Sequence, residues 1–323
     1  MEKAKLFELI KEKIPKNISF IDEIADVLDI SYDASYRRIK GKTVLTLKEG
    51  LSLSSYFNIN LNDVSVDRKN HPEKIIVEKS HNLVSDNFLH TFFDKSKEEI
   101  TKIISSKNGQ IYNCVKDFPF YHADNGSLKK FRIYLFINML SKDPNLKKIP
   151  FSKFEPSYDI IEKYNFFLKQ YGNVSLVEIW NDSTIDNIIN QIQYFFDVGL
   201  TTKEEALSIA DGLIDSLKLI EEQAKNNKRI ESKESFHLYQ NNLISLLNTI
   251  FMKSDTEKKV FVPFTNLTYF KVIDKNTTNQ IEQHLKTQLE FSTNLTGESS
   301  VERNKFFNSM YQKIEKRKLK LNF

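Results

Sequence analysis

Eight glycines and seven prolines in 323 residues constrain this chain more than any other feature, because ordinary proteins carry about 12% of the two together. Tight turns depend on glycine's access to positive φ and on proline's fixed φ. Turn-rich barrels, sandwiches and doubly wound sheets are therefore disfavoured, and a mostly α fold is expected. The glycines stand at 41, 50, 109, 126, 172, 199, 212 and 297. Neither a G-x-G-x-x-G loop nor a P-loop can be written with that spacing.

Composition narrows the chemistry further. Hydrophobic residues at 40% and charged residues at 28% describe a globular chain able to build a core. The single cysteine, Cys114, excludes an internal disulfide and any multi-cysteine metal site. Together with the acid-interleaved opening MEKAKLFELIKEK, which lacks a secretory pattern, it points to the cytoplasm. Histidines 71, 81, 90, 122, 237 and 284 form no H-x-x-x-H or H-x-x-E-H pair, so neither a metal nor a cofactor is expected. No nucleophile motif stands out, and a non-enzyme is expected. Asp255-x-Glu257-x-Lys259 can be pressed into a nuclease-like acidic pair, but a charged hairpin turn is the more ordinary reading. Cys114 reads as a buried core thiol. The apolar run from Phe131 to Leu140, broken by Arg132 and Asn138, is far short of the roughly 20 residues that cross a bilayer. It reads as a buried helix, and no membrane partner is expected.

Apolar periodicity and capping residues place the helices. In the first 65 residues, helices are expected over Leu6–Ile14, from Ser19 through Leu28, through Ile39 to Gly41, and from the capping box Thr46-x-x-Glu49. A polar run, residues 66–79, reads as a linker. Twenty-two of the 25 phenylalanines lie beyond it, so residues 80–323 have their own aromatic core. Helices are expected there near 85–105, 128–141, 157–171, 185–196, 207–220, 276–291 and 300–318, with capping boxes at Thr202-x-x-Glu205 and Ser299-x-x-Glu302. Between 235 and 273 the pattern turns β-rich and predicts a small antiparallel sheet. The expected fold class is thus mostly α: an N-terminal helical bundle and a larger helical C-terminal domain with that small sheet.

Charge is informative by position. The net +4 is modest, and over residues 1–65 ten basic and ten acidic residues cancel. Between Asp33 and Glu49, however, there is no acid, while Arg37, Arg38, Lys40, Lys42 and Lys48 fall there. A DNA-binding helix-turn-helix needs a small residue where its helices cross, an apolar residue after the turn and polar or basic side chains on the outer face of the second helix. Ala25, Ile30 and the Arg37/Arg38 pair fill those places.

The string ISFIDEIADVLDISYDASYRRIKGKTVLTLKEGLSLSSYFNINLNDV resembles the N-terminal helix-turn-helix of bacterial regulators of the lambda-repressor-like superfamily, especially its BetR-like branch. SYDASYRRIKG and TLKEG are its most specific parts. The resemblance implies a DNA face of Tyr32, Ser35, Arg37 and Arg38, and with the acid-free basic stretch the expected DNA-binding set is Tyr32, Ser35, Tyr36, Arg37, Arg38, Lys40 and Lys42. Which of Ser35, Tyr36 and Arg37 point inward is left open by the register. The stretches EIWNDSTIDNIINQIQYFFDVGL and FFNSMYQKIEK resemble uncharacterised C-terminal regions of such regulators and imply no activity.

These readings lead to the expectation of a sequence-specific transcriptional regulator that binds double-stranded DNA, with residues 80–323 serving dimerisation, sensing of a small-molecule effector, or both. The alternative is a protein-interaction adaptor whose bundle binds protein. The late helices, 276–291 and 300–318, motivate the homodimer. The phenylalanines motivate an aromatic-lined effector pocket, although core packing is their commoner use. The basic C-terminal helix, with Lys313, Lys316, Arg317, Lys318 and Lys320, reads as a solvated end or, more sharply, as an auxiliary phosphate contact.

Overall fold

The computed structural model describes residues 2–15, 17–59, 61, 64, 75–80, 87–141 and 148–321. They form two compact units, Met1–Ile76 and Val77–Phe323. Most of the expected linker lies outside the described residues, but its last two residues, Glu78–Lys79, form strand β1 of the second unit.

In the first unit, helices α1 (Glu2–Lys13), α2 (Phe20–Leu28), α3 (Tyr32–Ile39) and α4 (Leu47–Tyr56) enclose Leu6, Phe7, Ile10, Ile24 and Leu53. Polar side chains start three of them. Ser19 and Ser31 accept from the backbone of Asp22 and Ala34, and Thr46 forms a complete capping box with Glu49.

The second unit contains β1, α5 (Phe88–Ile104), β2 (Gln110–Cys114), α6 (Gly126–Leu140), α7 (Tyr158–Gly172), β3 (Ser175–Trp180), α8 (Asp186–Asp197), α9 (Lys203–Asn226), β4 (Phe236–Gln240), β5 (Ile250–Lys253), β6 (Lys258–Thr265), β7 (Thr268–Val272), α10 (Lys275–Glu290), β8 (Thr293–Asn294) and α11 (Ser300–Lys320). All eight strands join one sheet in the order β1-β7-β6-β5-β2-β3-β4-β8. β2, β3 and β4 are parallel, and the flanking pairings are antiparallel.

This corrects the expected fold class. The protein is α+β with an eight-stranded mixed sheet, not mostly α with a small antiparallel one. β2 and β3 escape the sequence pattern because they are five and six residues long and mostly buried on both faces, which removes the polar alternation of a half-exposed strand. Nor does glycine scarcity limit turns here. Asp29, Asn58, Asn108, Asn227 and Asn248 all adopt positive φ, and Asp and Asn tolerate that conformation better than other side chains. Gly109, by contrast, is required: a Cβ there would lie 2.1 Å from the Ile103 carbonyl oxygen.

The two sheet faces have different covers. Leu176 and Trp180 of β3 join a large core with α5–α9 and α11, whereas Ile179 points to a smaller one with Leu285 of α10. Alternation along the strand therefore turns Glu178 into the larger core. The capping box at Thr202 forms, but Ser299 makes no side-chain cap bond.

Candidate nucleic-acid interface

The α2–α3 corner is built by the backbone. Asp29, at φ 52° and ψ 51°, closes α2, with its N–H donating to Asp26 O at 3.2 Å and the Ile30 N–H to Ala25 O at 3.0 Å. This pair of bonds is a Schellman closure. Ala25 is buried against the crossing. α3 ends the same way: Gly41 at φ 80° lets the Lys42 N–H reach Arg37 O at 2.8 Å.

The seven expected DNA-face residues separate into two groups. Tyr32, Tyr36, Arg37, Lys40 and Lys42 are exposed. The Lys40 and Lys42 ammonium groups lie 5.8 and 6.0 Å from the Tyr36 ring centroid, which gathers these side chains at the C-terminal end of α3. Ser35 is fully buried, and its hydroxyl donates to Ile21 O at 2.9 Å, so it holds α3 against α2. Arg38 is also turned away: Nε donates to Glu49 Oε1 at 2.8 Å, Nη2 lies 2.7 Å from the same oxygen, and Nη1 donates to Ala34 O at 3.2 Å. The Arg38 hydrogen bond outweighs burial and holds the Glu49 carboxyl below its usual range. Sequence reasoning missed that the acid ending the basic stretch is Arg38's partner. The signal was the capping-box Glu49 itself, which the first turn of α4 brings beside α3.

The remaining signals resolve as structure. Asp255 accepts from Asn108, and Lys259 pairs with Glu99 and Glu257 at 2.9 and 2.7 Å, so this is a charged hairpin turn. Burial pushes the Cys114 thiol up to about 12. On the C-terminal helix, Lys313 pairs with Asp186, Lys318 with Asp211, and Arg317 donates to Asn190. Those three cations tie α11 to α8 and α9. Among the described residues no group of side chains could hold a metal ion, and no helix is long and apolar enough to cross a membrane.

One buried polar cluster had no counterpart in the sequence reading. Glu178 Oε2 accepts from His122 Nε2 at 2.9 Å and Trp180 Nε1 at 3.0 Å, and Oε1 accepts from the Tyr121 hydroxyl, which in turn accepts from Asn113. Burial alone would raise Glu178, but the His122 charge and these donors bring it below its usual range. Burial, followed by the Glu178 charge, raises Tyr121 far above its usual value. The Tyr121 ring stacks on Tyr171, centroids 4.0 Å apart. With every group in the chain partnered, the cluster braces the sheet. An acid inside the apolar run SLVEIW was the sequence signal for it.

No family model matches this chain. No solved structure matches it. It is 23% identical over 193 residues to the uncharacterised protein MG242 of Mycoplasma genitalium, a similarity covering 56% of this chain and 29% of that protein. The matching region thus spans less than a third of the relative's length, and the relative's name assigns it no activity.

Proposed function

We propose that this chain is a sequence-specific DNA-binding transcriptional regulator whose first unit lays α3 in the major groove of duplex DNA. The observation that carries this reading is the cluster of exposed Tyr36, Arg37, Lys40 and Lys42 at the end of an eight-residue helix set off from α2 by a tight turn. Lysines neutralise phosphates as point charges, whereas the Arg37 fork fits either a phosphate or the O6/N7 edge of guanine. Arg38 and Ser35 act as positioning residues that fix α3 on α4 and α2. Asp33, exposed in the first turn of α3, keeps phosphates away from that end, so docking leans on the C-terminal half.

Genomic footprinting would give the operator, and fluorescence anisotropy from about 50 to 200 mM salt would then compare wild type with Arg37→Ala/Lys40→Ala/Lys42→Ala. Each lost phosphate contact should lower the slope of log K against log salt by about one. A folded triple variant with unchanged affinity and slope removes the reading.

A second reading, an adaptor that binds protein, has an observation of its own. Val44, Leu47, Leu51 and Tyr56 are exposed at 82%, 77%, 50% and 62% beside or on α4, an apolar surface suited to a protein partner. Binding there would depend little on salt.

A further inference from the structure

A cavity of about 620 Å³ opens within the Val77–Phe323 unit. Its wall contains Phe118, Tyr121, Arg132, Tyr171, Gln191 and Tyr269. We propose that this cavity binds a small organic carboxylate with a flat aromatic or apolar body, whose charged end is received by Arg132. The inference does not depend on whether α3 binds DNA.

Arg132 carries the argument. Its side chain belongs to the middle of the apolar helix α6 and is 6% exposed. Of its five N–H donors, Nη2 bonds the Phe118 carbonyl at 3.0 Å, while Nε has no partner. No carboxylate of the described residues pairs with it. The Phe120 and Phe136 rings, 4.8 and 5.4 Å from the guanidinium carbon, compensate the charge in part. A buried cation without a counter-ion is costly unless an anion completes it.

The protein's own acids on this wall are occupied. Asp117 accepts from the Asn187 and Asn248 amides, and Glu99 pairs with Lys259 and Lys271 at 2.9 and 3.1 Å. The wall tyrosines are neutral: burial pushes Tyr269 up to about 12 and raises Tyr121 and Tyr171 further. Asp117 acts on Arg132 only through space, so no carboxylate of the described residues bonds the guanidinium. The Gln191 side-chain oxygen, buried and without a partner, is a second unmet polar atom on the wall. The aromatic rings in the lining, Phe118, Tyr171 and Tyr269 among them, favour a flat body, and the volume lies in the range of small-molecule sites.

Calorimetric titration of the full chain with benzoate, 2-naphthoate and indole-3-carboxylate, each against its neutral carboxamide, tests the proposal. At least one acid should bind about tenfold or more tighter than its amide, the difference expected of a buried charge-assisted hydrogen bond. Arg132→Met should abolish that preference while leaving residual binding of the apolar body. Leu247 lines the cavity and is 62% exposed, so Leu247→Trp leaves the core intact and should weaken binding about fivefold or more. No binding by any acid at millimolar concentration overturns the proposal, as does equal binding of acids and amides, or Leu247→Trp binding like wild type. If Arg132→Met fails to fold, the acid-to-amide ratio and Leu247→Trp decide the matter on folded protein.

Discussion

Arg37 and Arg38 are sequence neighbours in opposite environments. Arg37 is exposed, whereas the Arg38 and Glu49 side chains are only 18% and 16% exposed and bonded to each other. Replacing Arg38 with alanine removes charge-assisted bonds from a mostly buried carboxylate and should cost about 2 kcal/mol of folding stability. Arg37→Ala should stay within about 0.5 kcal/mol of wild type and, on the proposed function, lower DNA affinity instead. Urea melts of both variants check the contrast, and equal losses would contradict it. Glu49 is held below its usual value of 4.5, so its contribution is present above about pH 4.5 and lost as pH falls through the depressed folded value. Arg38→Ala should accordingly match wild type more closely at pH 3 than at pH 7. Glu178 follows the same sign, since its carboxyl is also depressed. Glu178→Gln removes the buried carboxylate that accepts from His122, Trp180 and Tyr121 and should destabilise the second unit by about 3 kcal/mol, read by fluorescence of Trp180, the only tryptophan. A loss below about 1 kcal/mol would mean the cluster braces nothing.

Elements divide into those whose signals are local and those whose signals are not. Helices α8 and α9 lie close to where the apolar period and the Thr202 box put them, because both signals reside within the helix. β2 and β3 gain their identity from being buried between two layers, which no short window of sequence records. Ser35 was equally illegible, because its inward turn depends on the register set by the Asp29 corner. Arg132 and Glu178 were visible as lone charges in apolar runs, but which cavity or cluster they serve is a tertiary fact. The turn residues permit a prediction at this scale. Asp29→Gly relieves a left-handed aspartate at a helix C-terminus, where negative charge is also unfavourable, and should add about 0.5 kcal/mol. Asn248 shares the positive φ but also accepts from the Lys116 and Asp117 N–H groups at 2.7 and 3.1 Å. Asn248→Gly should therefore cost about 1 to 3 kcal/mol despite the easier backbone. Thermal unfolding separates them, and shifts of the same sign would show that backbone strain alone governs both turns.

At the scale of the whole molecule, the apolar stripes expected to join two copies are already used. α10 packs Ile281, Leu285 and Leu289 into the smaller core, and α11 places Phe306, Phe307, Met310 and Ile314 in the larger one. Those helices therefore offer no free apolar face for a homodimer. On the proposed DNA-binding reading, however, a single small helical unit covers too little DNA surface to bind specifically without help. The two conditions are reconciled if copies assemble on the operator, each occupying one of two half-sites about 34 Å apart, with the duplex supplying the effective concentration that a weak protein contact lacks. Sedimentation velocity should then find the free chain monomeric at about 20 µM and two chains on a duplex with paired half-sites. A duplex carrying one half-site should bind one chain at least about tenfold more weakly per site. Moving the half-sites apart by about five base pairs turns them to opposite faces of the helix and should erase the gain. A stable dimer of the free chain would instead require an interface away from α10 and α11, and a single chain bound to the paired duplex would show that one unit reads its site alone.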